Sequence, residues 1–273
     1  HIFALTANGL VFTKFGAKNI LITNPRDMPG FVKELKGIQM TAITGVNTLF
    51  NGLLNTPGFS EVDFSNLRLT LGGGMAVQRA VAERWQKATG CPLIEGYGLT
   101  ETSPVASTNP YGDKARLGTV GIPVPGTAFK VIDDDGNELP TGERGELCIK
   151  GPQVMKGYWQ RPEATAEVLT ADGWFHSGDI GEIDDRGFVR ITDRKKDLFK
   201  TSNGKYVAPS QIESTFKGLC PYVGQFLVHG ENRQFVTALV TLDEEAIKPW
   251  AEANGLAGAG YTEIVSSDRK SVV

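Results

Sequence analysis

The sequence predicts an α/β protein: a large N-terminal domain, made of a parallel α/β layer and a small antiparallel β-barrel or sheet, followed by a smaller α+β domain. Three observations predict it. Up to about residue 115, short apolar runs alternate with amphipathic stretches, the pattern of strands joined by crossover helices. From about residue 116, brief strand-like runs are separated by Gly, Pro, Asp and Asn, the texture of a small twisted antiparallel structure. After the basic stretch Arg194-Lys195-Lys196-Asp197, a helical pattern is followed by two alternating runs. The expected organisation is therefore 1–115, 116–193 and 194–267, with a separate tail at 268–273.

The elements follow in order. Asn19 to Thr23 reads as a strand, Met28 to Lys36 as a helix, Met40 to Gly45 as a strand and Asn47 to Leu54 as a helix. Leu67 to Leu71 reads as a strand running into Gly72-Gly73-Gly74, Val77 to Thr89 as a helix and Cys91 to Glu95 as the next strand. Helices between the strands make this sheet mostly parallel. In the second region Val120 to Pro125, Ala128 to Asp133, Gly145 to Lys150 and Gly187 to Thr192 read as strands, with turns at Asp135-Gly136-Asn137 and Thr141-Gly142. In the third, Ser210 to Phe216 reads as a helix, and Gly224 to His229 and Phe235 to Leu242 as strands.

Composition bounds the function. The chain has 273 residues, 40% hydrophobic and 22% charged, which is enough apolar mass for a core. A net charge of −3 provides no basic field for nucleic acid. Cys91, Cys148 and Cys220 are widely spaced and odd in number, which suits a reducing compartment and no disulfide framework. No apolar run reaches the roughly 18 residues of a spanning helix. A cytoplasmic enzyme, with membrane contact at most peripheral at the inner face, is the expectation.

Three segments carry the chemistry. In Leu71-Gly72-Gly73-Gly74-Met75, glycines between strand and helix let the backbone approach a ligand and free N–H groups for anions, although a plain strand-to-helix turn also uses glycine. In Glu95-Gly96-Tyr97-Gly98-Leu99-Thr100-Glu101-Thr102, a ring between glycines can lie on a purine. A hydroxyl three residues on can reach a phosphate, and its neighbouring carboxylate can hold magnesium. The structural alternative makes Thr100 a helix N-cap with Glu101 in the first turn. The third segment runs from Asp172 through Trp174, Ser177-Gly178-Asp179 and Gly187 to Ile191-Thr192-Asp193-Arg194-Lys195-Lys196. Taken one at a time, Asp179 could be a turn residue and Arg194 a surface cation.

Together these segments resemble the adenylate-forming superfamily of acyl-CoA ligases, luciferases and peptide-synthetase adenylation domains. Tyr97 to Glu101 is similar to its adenine- and magnesium-binding motif, and Asp172 to Lys196 to its fatty acyl-CoA synthetase signature. Supporting matches are Gly145-Glu146-Leu147 to Gly151 with Gly157-Tyr158-Trp159, Lys200 with Gly204 to Glu213, and His1-Ile2-Phe3. The resemblance implies that Gly73, Gly74, Gly96, Tyr97, Thr100, Asp179, Ile191 and Arg194 bind nucleotide. It implies catalytic roles for Thr100, Glu101 and Lys200, a metal-ligand role for Glu101, and a hinge at Lys196. The implied reaction uses ATP and magnesium to make an acyl-adenylate, which coenzyme A converts to a thioester.

A medium- to long-chain fatty acid is the expected substrate. An amino-acid-activating domain would place an early Asp against the substrate ammonium, and the first acidic residue here is Asp27. A coumarate-ligase or luciferase type, or another acid–CoA ligase, shares Tyr97 and Asp179 but matches Asp172 to Lys196 less closely. A non-catalytic nucleotide-binding relative would have no need of Thr100, Glu101, Asp179 and Arg194 together. Oligomeric state is left open. The resemblance further implies that both domains are partial. The superfamily's phosphate loop would lie before His1 and its adenylation lysine beyond Val273, so the chain alone is expected to be inactive. Ile2 to Leu5 reads as the middle of a buried element. The tail 268–273 can be encoded by DNA resembling a common sequencing adapter and reads as non-native.

Overall fold

The structure, a computed structural model, describes residues 2–220 and 222–266. It divides into two compact units, up to Ile191 and from Thr192. The first unit opens with α1 (Ile2–Ala4), which continues in π-helical geometry over Leu5–Phe12. Next come α2 (Met28–Lys36), β1 (Ala42–Gly45), α3 (Asn47–Leu54), β2 (Leu69–Gly72), α4 (Arg79–Thr89) and β3 (Leu93–Tyr97). β1, β2 and β3 pair in parallel, with Gly45 opposite Gly72 and Gly72 opposite Glu95. β4 (Ser107–Thr108) and β5 (Ile122–Pro123) extend the sheet in antiparallel fashion from β3.

Local chemistry sets the helix ends. Asp27 caps α2 by accepting from the Gly30 N–H at 3.0 Å, with Pro29 in the first turn. α4 stops at Gly90, whose φ of 72° is left-handed backbone that a side chain would strain. One face of α4 buries Val81, Ala82, Trp85 and Thr89. Trp85 is fully enclosed, its indole N–H donating to Thr70 Oγ1 at 3.1 Å, with Phe50 edge-on at 4.8 Å between ring centroids. Each such large apolar side chain contributes roughly 1.5–3 kcal/mol on burial.

The same unit continues with β6 (Ala128–Ile132), β7 (Gly145–Lys150), α5 (Pro162–Val168), β8 (Phe175–Ile183) and the first half of β9 (Val189–Arg194), within which the units meet. These strands form a four-stranded sheet in chain order, around a core of Val131, Leu147 and Val189. The Asp135-Gly136-Asn137 turn forms as expected, because Asp133 Oδ1 accepts from the N–H groups of Asp135 and Asn137 at 2.9 and 2.8 Å. The Val120 N–H donates to the Val189 carbonyl at 2.9 Å, and the Val189 N–H donates to the Gly121 carbonyl at 2.8 Å, which ties β9 to the loop before β5.

The second unit contains β10 (Phe199–Lys200) paired with β11 (Tyr206–Val207), α6 (Pro209–Leu219), and the hairpin β12 (Val223–His229) and β13 (Thr237–Leu242). Phe216 of α6 stacks on Phe226 of β12 at 4.4 Å. α7 (Glu244–Ala253) and α8 (Tyr261–Ser266) enclose Ile247, Ala251 and Ile264.

Several expectations need correction. Asn19 to Thr23 is not a strand: it pairs with no strand among the described residues, and Ile20 and Leu21 are exposed. An apolar run supplies strand propensity, but without a ladder partner its backbone groups remain outside a sheet. Ile2 to Leu5 is not the core of an element; it is helical and none of these residues is buried. β8, α5 and α7 went unread: the first is masked by its polar motif, α5 by its seven residues and uncapped start, and α7 by Pro249 within it. His1 and the tail 268–273 lie outside the described residues.

Candidate nucleotide-binding site

The carboxyl ends of parallel strands are where open α/β sheets take ligands. Here β1, β2 and β3 end side by side, and the last two run into Gly72-Gly73-Gly74 and Gly96-Tyr97-Gly98. The glycines have steric reasons. A side chain at Gly73 would lie against the Gly96 carbonyl at 3.3 Å, and one at Gly98 would collide with the Pro104 carbonyl. Gly74 adopts a φ of 76°.

Beyond Gly98 the chain makes a 3₁₀ turn at Thr100–Thr102. Thr100 is exposed and Glu101 half-buried, whereas Thr102 is fully buried. The N-cap residue of this turn is Leu99, and Thr102 closes the turn from its third position: its Oγ1 accepts from the Leu99 N–H at 2.9 Å and lies 2.7 Å from the Pro104 carbonyl. That internal lock leaves the Thr100 hydroxyl and the Glu101 carboxylate at the surface of the turn.

β3 also faces the small sheet. The Tyr97 hydroxyl donates to Asp179 Oδ2 at 2.6 Å, and the Tyr97 ring lies 6.4 Å from that of Phe129 on β6. Asp179 sits in β8 and is buried at 5% exposure. Its own N–H donates to Ser177 Oγ at 3.1 Å, and that hydroxyl donates to the Leu147 carbonyl at 2.7 Å. The Gly178 N–H donates to Glu146 Oε1 at 3.2 Å, beside the pairing irregularity between β7 and β8. Ile191 packs half-buried against the core of this sheet. The structure thus brings Gly73, Gly96, Tyr97 and Asp179 into one neighbourhood, with Thr100 and Glu101 on the adjoining turn.

Glu101 is also held. The Tyr158 hydroxyl donates to its Oε1 at 2.7 Å, and the Met155 N–H donates to its carbonyl at 2.8 Å. Partial burial first, then the Glu101 hydrogen bond and charge, push the Tyr158 phenol up to about 12. Beneath the glycine loop, burial pushes the Glu95 carboxyl up to about 7, opposed by a hydrogen bond from the Val77 N–H. Among the described residues no cluster of three or more His, Cys, Asp or Glu could cage a metal. A single accessible carboxylate such as Glu101 does fit magnesium, which keeps several waters and takes most remaining ligands from phosphate.

The other expected residues belong to the second unit's stretch. Arg194 ends β9, its N–H donating to Asp193 Oδ1 at 3.1 Å. Lys196 is exposed in the 3₁₀ turn Lys195–Asp197. Lys200 is exposed on β10, with Nζ 5.0 Å from the centre of the Tyr206 ring. Sequence reasoning assigned no role to Thr102, Glu146, Ser177 or Tyr158. Tyr158 could have been flagged from its place in the matched Gly157-Tyr158 segment.

Glycine-rich loops at the ends of parallel strands, beside an aromatic–carboxylate pair, place the chain among the α/β proteins that take ligands at a sheet's carboxyl edge. The chain belongs to the AMP-binding enzyme family, whose model matches residues 1–159. It is 59% identical over 213 residues to a long-chain-fatty-acid–CoA ligase of Escherichia coli O6:H1, covering 78% of this chain and 38% of that protein. Similar solved structures include the following two. ATP-bound MatB from Rhodopseudomonas palustris has a TM-score of 0.69 and 34% identity, over 83% of this chain and 46% of that one. The anthranilate CoA ligase AuaEII in complex with anthranoyl-AMP has a TM-score of 0.78 and 26% identity, over 96% and 52%.

Proposed function

We propose that this chain forms part of an AMP-forming ligase that activates a medium- to long-chain fatty acid with ATP and transfers it to coenzyme A. The observation that carries the reading is the Tyr97–Asp179 pair, formed across 82 residues of sequence beside the glycine-rich strand ends. The substrate class rests on the likeness to the Escherichia coli ligase.

In this reading the Tyr97 ring lies on adenine, Gly73, Gly74 and Gly96 make room for the nucleotide, and Asp179 accepts from the ribose hydroxyls. Thr100 donates to phosphate, Ile191 supports the nucleotide's neighbourhood, and Arg194 serves the ribose and phosphate side. Glu101 would hold magnesium, which supplies charge neutralisation on the phosphates when bound. The fatty carboxylate oxygen attacks the α-phosphorus and pyrophosphate leaves; the thiol of coenzyme A then attacks the acyl carbonyl and AMP leaves. Positioning and charge stabilisation supply most of the rate in the first step. Lys200 and the Lys196 hinge are proposed on the family resemblance. We place the reaction in the cytoplasm, because Cys91, Cys148 and Cys220 are all free. No helix among the described residues is long and apolar enough to cross a membrane.

The test is thioester formation by a full-length enzyme carrying this segment, assayed against acids of graded chain length and against aryl acids. ATP- and coenzyme A-dependent turnover of medium and long fatty acids is expected. Turnover confined to aryl acids would replace the substrate assignment, and nucleotide binding without turnover would make the chain part of a binding protein.

A further inference from the structure

The segment from Pro152 to Arg161 has no part in the function described above, yet it is built around one residue of the site. Its Met155 N–H holds the Glu101 carbonyl, and its Tyr158 hydroxyl holds Glu101 Oε1 at 2.7 Å, across 57 residues of sequence. Both ends of this brace are fastened. Gln153 Nε2 donates to Thr127 Oγ1 at 2.7 Å and to the Val105 carbonyl at 3.2 Å. The Tyr158 N–H donates to Oγ1 of Thr165 on α5 at 2.9 Å, and that hydroxyl donates to the carbonyl of the N-cap residue Arg161 at 2.8 Å. Gly157 leaves no room for a side chain against Thr165, so the backbone beneath Tyr158 is pressed onto the helix.

An unheld glutamate on a surface turn samples several rotamers, and fixing one before binding removes an entropic cost of binding. We propose that Tyr158 is a positioning residue for Glu101, its hydroxyl holding one carboxylate oxygen and leaving the other for the magnesium complex of the ATP phosphates. The proposal rests on the reading of Glu101 as the metal-binding carboxylate. The rigid ring on a fastened backbone sets where the held oxygen sits, so the bond acts through geometry rather than as one of many interchangeable surface contacts.

The experiment is a binding cycle in a full-length enzyme carrying this segment. ATP affinity is measured with Mn²⁺ as the spectroscopic cation and again in chelator without metal. Tyr158→Phe should weaken Mn·ATP binding by about tenfold, the scale of one hydrogen bond to a charged group, and leave metal-free ATP binding unchanged. Glu101→Gln should weaken it at least as much, and the double variant should add nothing further. Thr165→Val, which loosens the backbone under Tyr158 but spares the phenol, should give a smaller shift in the same metal-dependent direction. Parental Mn·ATP affinity in Tyr158→Phe overturns the proposal. Equal loss with and without metal also overturns it, making Tyr158 a brace of the loop, and so does an additive double variant. If Glu101→Gln alone leaves metal-dependent affinity intact, the Glu101 reading itself fails and the proposal falls with it.

Discussion

At the scale of single residues, the site is organised by hydroxyls that hold carboxylates. Tyr97 donates to Asp179 and Tyr158 to Glu101, at 2.6 and 2.7 Å, so each carboxylate is oriented before any ligand arrives. Asp179 is the more enclosed of the two and has support on its own strand from Ser177. Replacing it by alanine would leave the Tyr97 hydroxyl without this partner and, in the proposed reading, two ribose hydroxyls without an acceptor. In a full-length enzyme, Asp179→Ala should weaken ATP binding by about 1–3 kcal/mol, read by titration calorimetry. ATP affinity equal to the parent would remove Asp179 from the ribose site.

At the scale of the element, β3 carries the most concentrated chemistry. It is the last parallel strand and the first to pair antiparallel, so its residues lie between two kinds of neighbour. Glu95 is 6% exposed there, and burial raises its carboxyl from 4.5 to about 7. The sign follows from linkage: the folded state binds this proton more tightly than the unfolded chain. The contribution is therefore full below pH 4.5 and is lost as pH rises to about 7. A shift of that size corresponds to roughly 3 kcal/mol. Glu95→Gln should flatten the stability profile across that window and be the more stable protein above it, measured as urea midpoints against pH. Parallel profiles for the two proteins would show that Glu95 does not titrate in this range.

At the scale of the whole molecule, the chain consists of two units joined within β9, at Ile191 and Thr192. The basic stretch that follows includes Lys196, exposed in a short 3₁₀ turn between β9 and β10. An exposed short turn is a place where φ and ψ can change at little cost in packing. Proline there would fix φ near −65° and restrict the residue before it. For Lys196→Pro in a full-length enzyme we expect ATP–pyrophosphate exchange to persist while acyl-CoA formation falls at least tenfold, about 1.4 kcal/mol in barrier. Equal loss of both half-reactions would make Lys196 structural, and no change in either would place the hinge elsewhere.

The alternation of strands and helices from β1 to β3, the antiparallel character beyond residue 116, and the motifs around Tyr97 and Asp179 are legible in the amino-acid order alone. These are local properties: periodicity marks which face is apolar, and glycine, proline and the cap residues mark where an element must end. The amino-acid order misled at Asn19 to Thr23, because strand propensity does not reveal whether a ladder partner exists. The structural alternative, Thr100 as a helix N-cap, does not form: the N-cap residue is Leu99, and the inward hydroxyl that closes the turn is that of Thr102. Only the tertiary structure decided that Tyr97 reaches Asp179 across 82 residues and Tyr158 reaches Glu101 across 57. Those pairings depend on sheet order and on the path of the loops between sheets. Sequence spacing records the residues available for such contacts, whereas packing selects which of them meet.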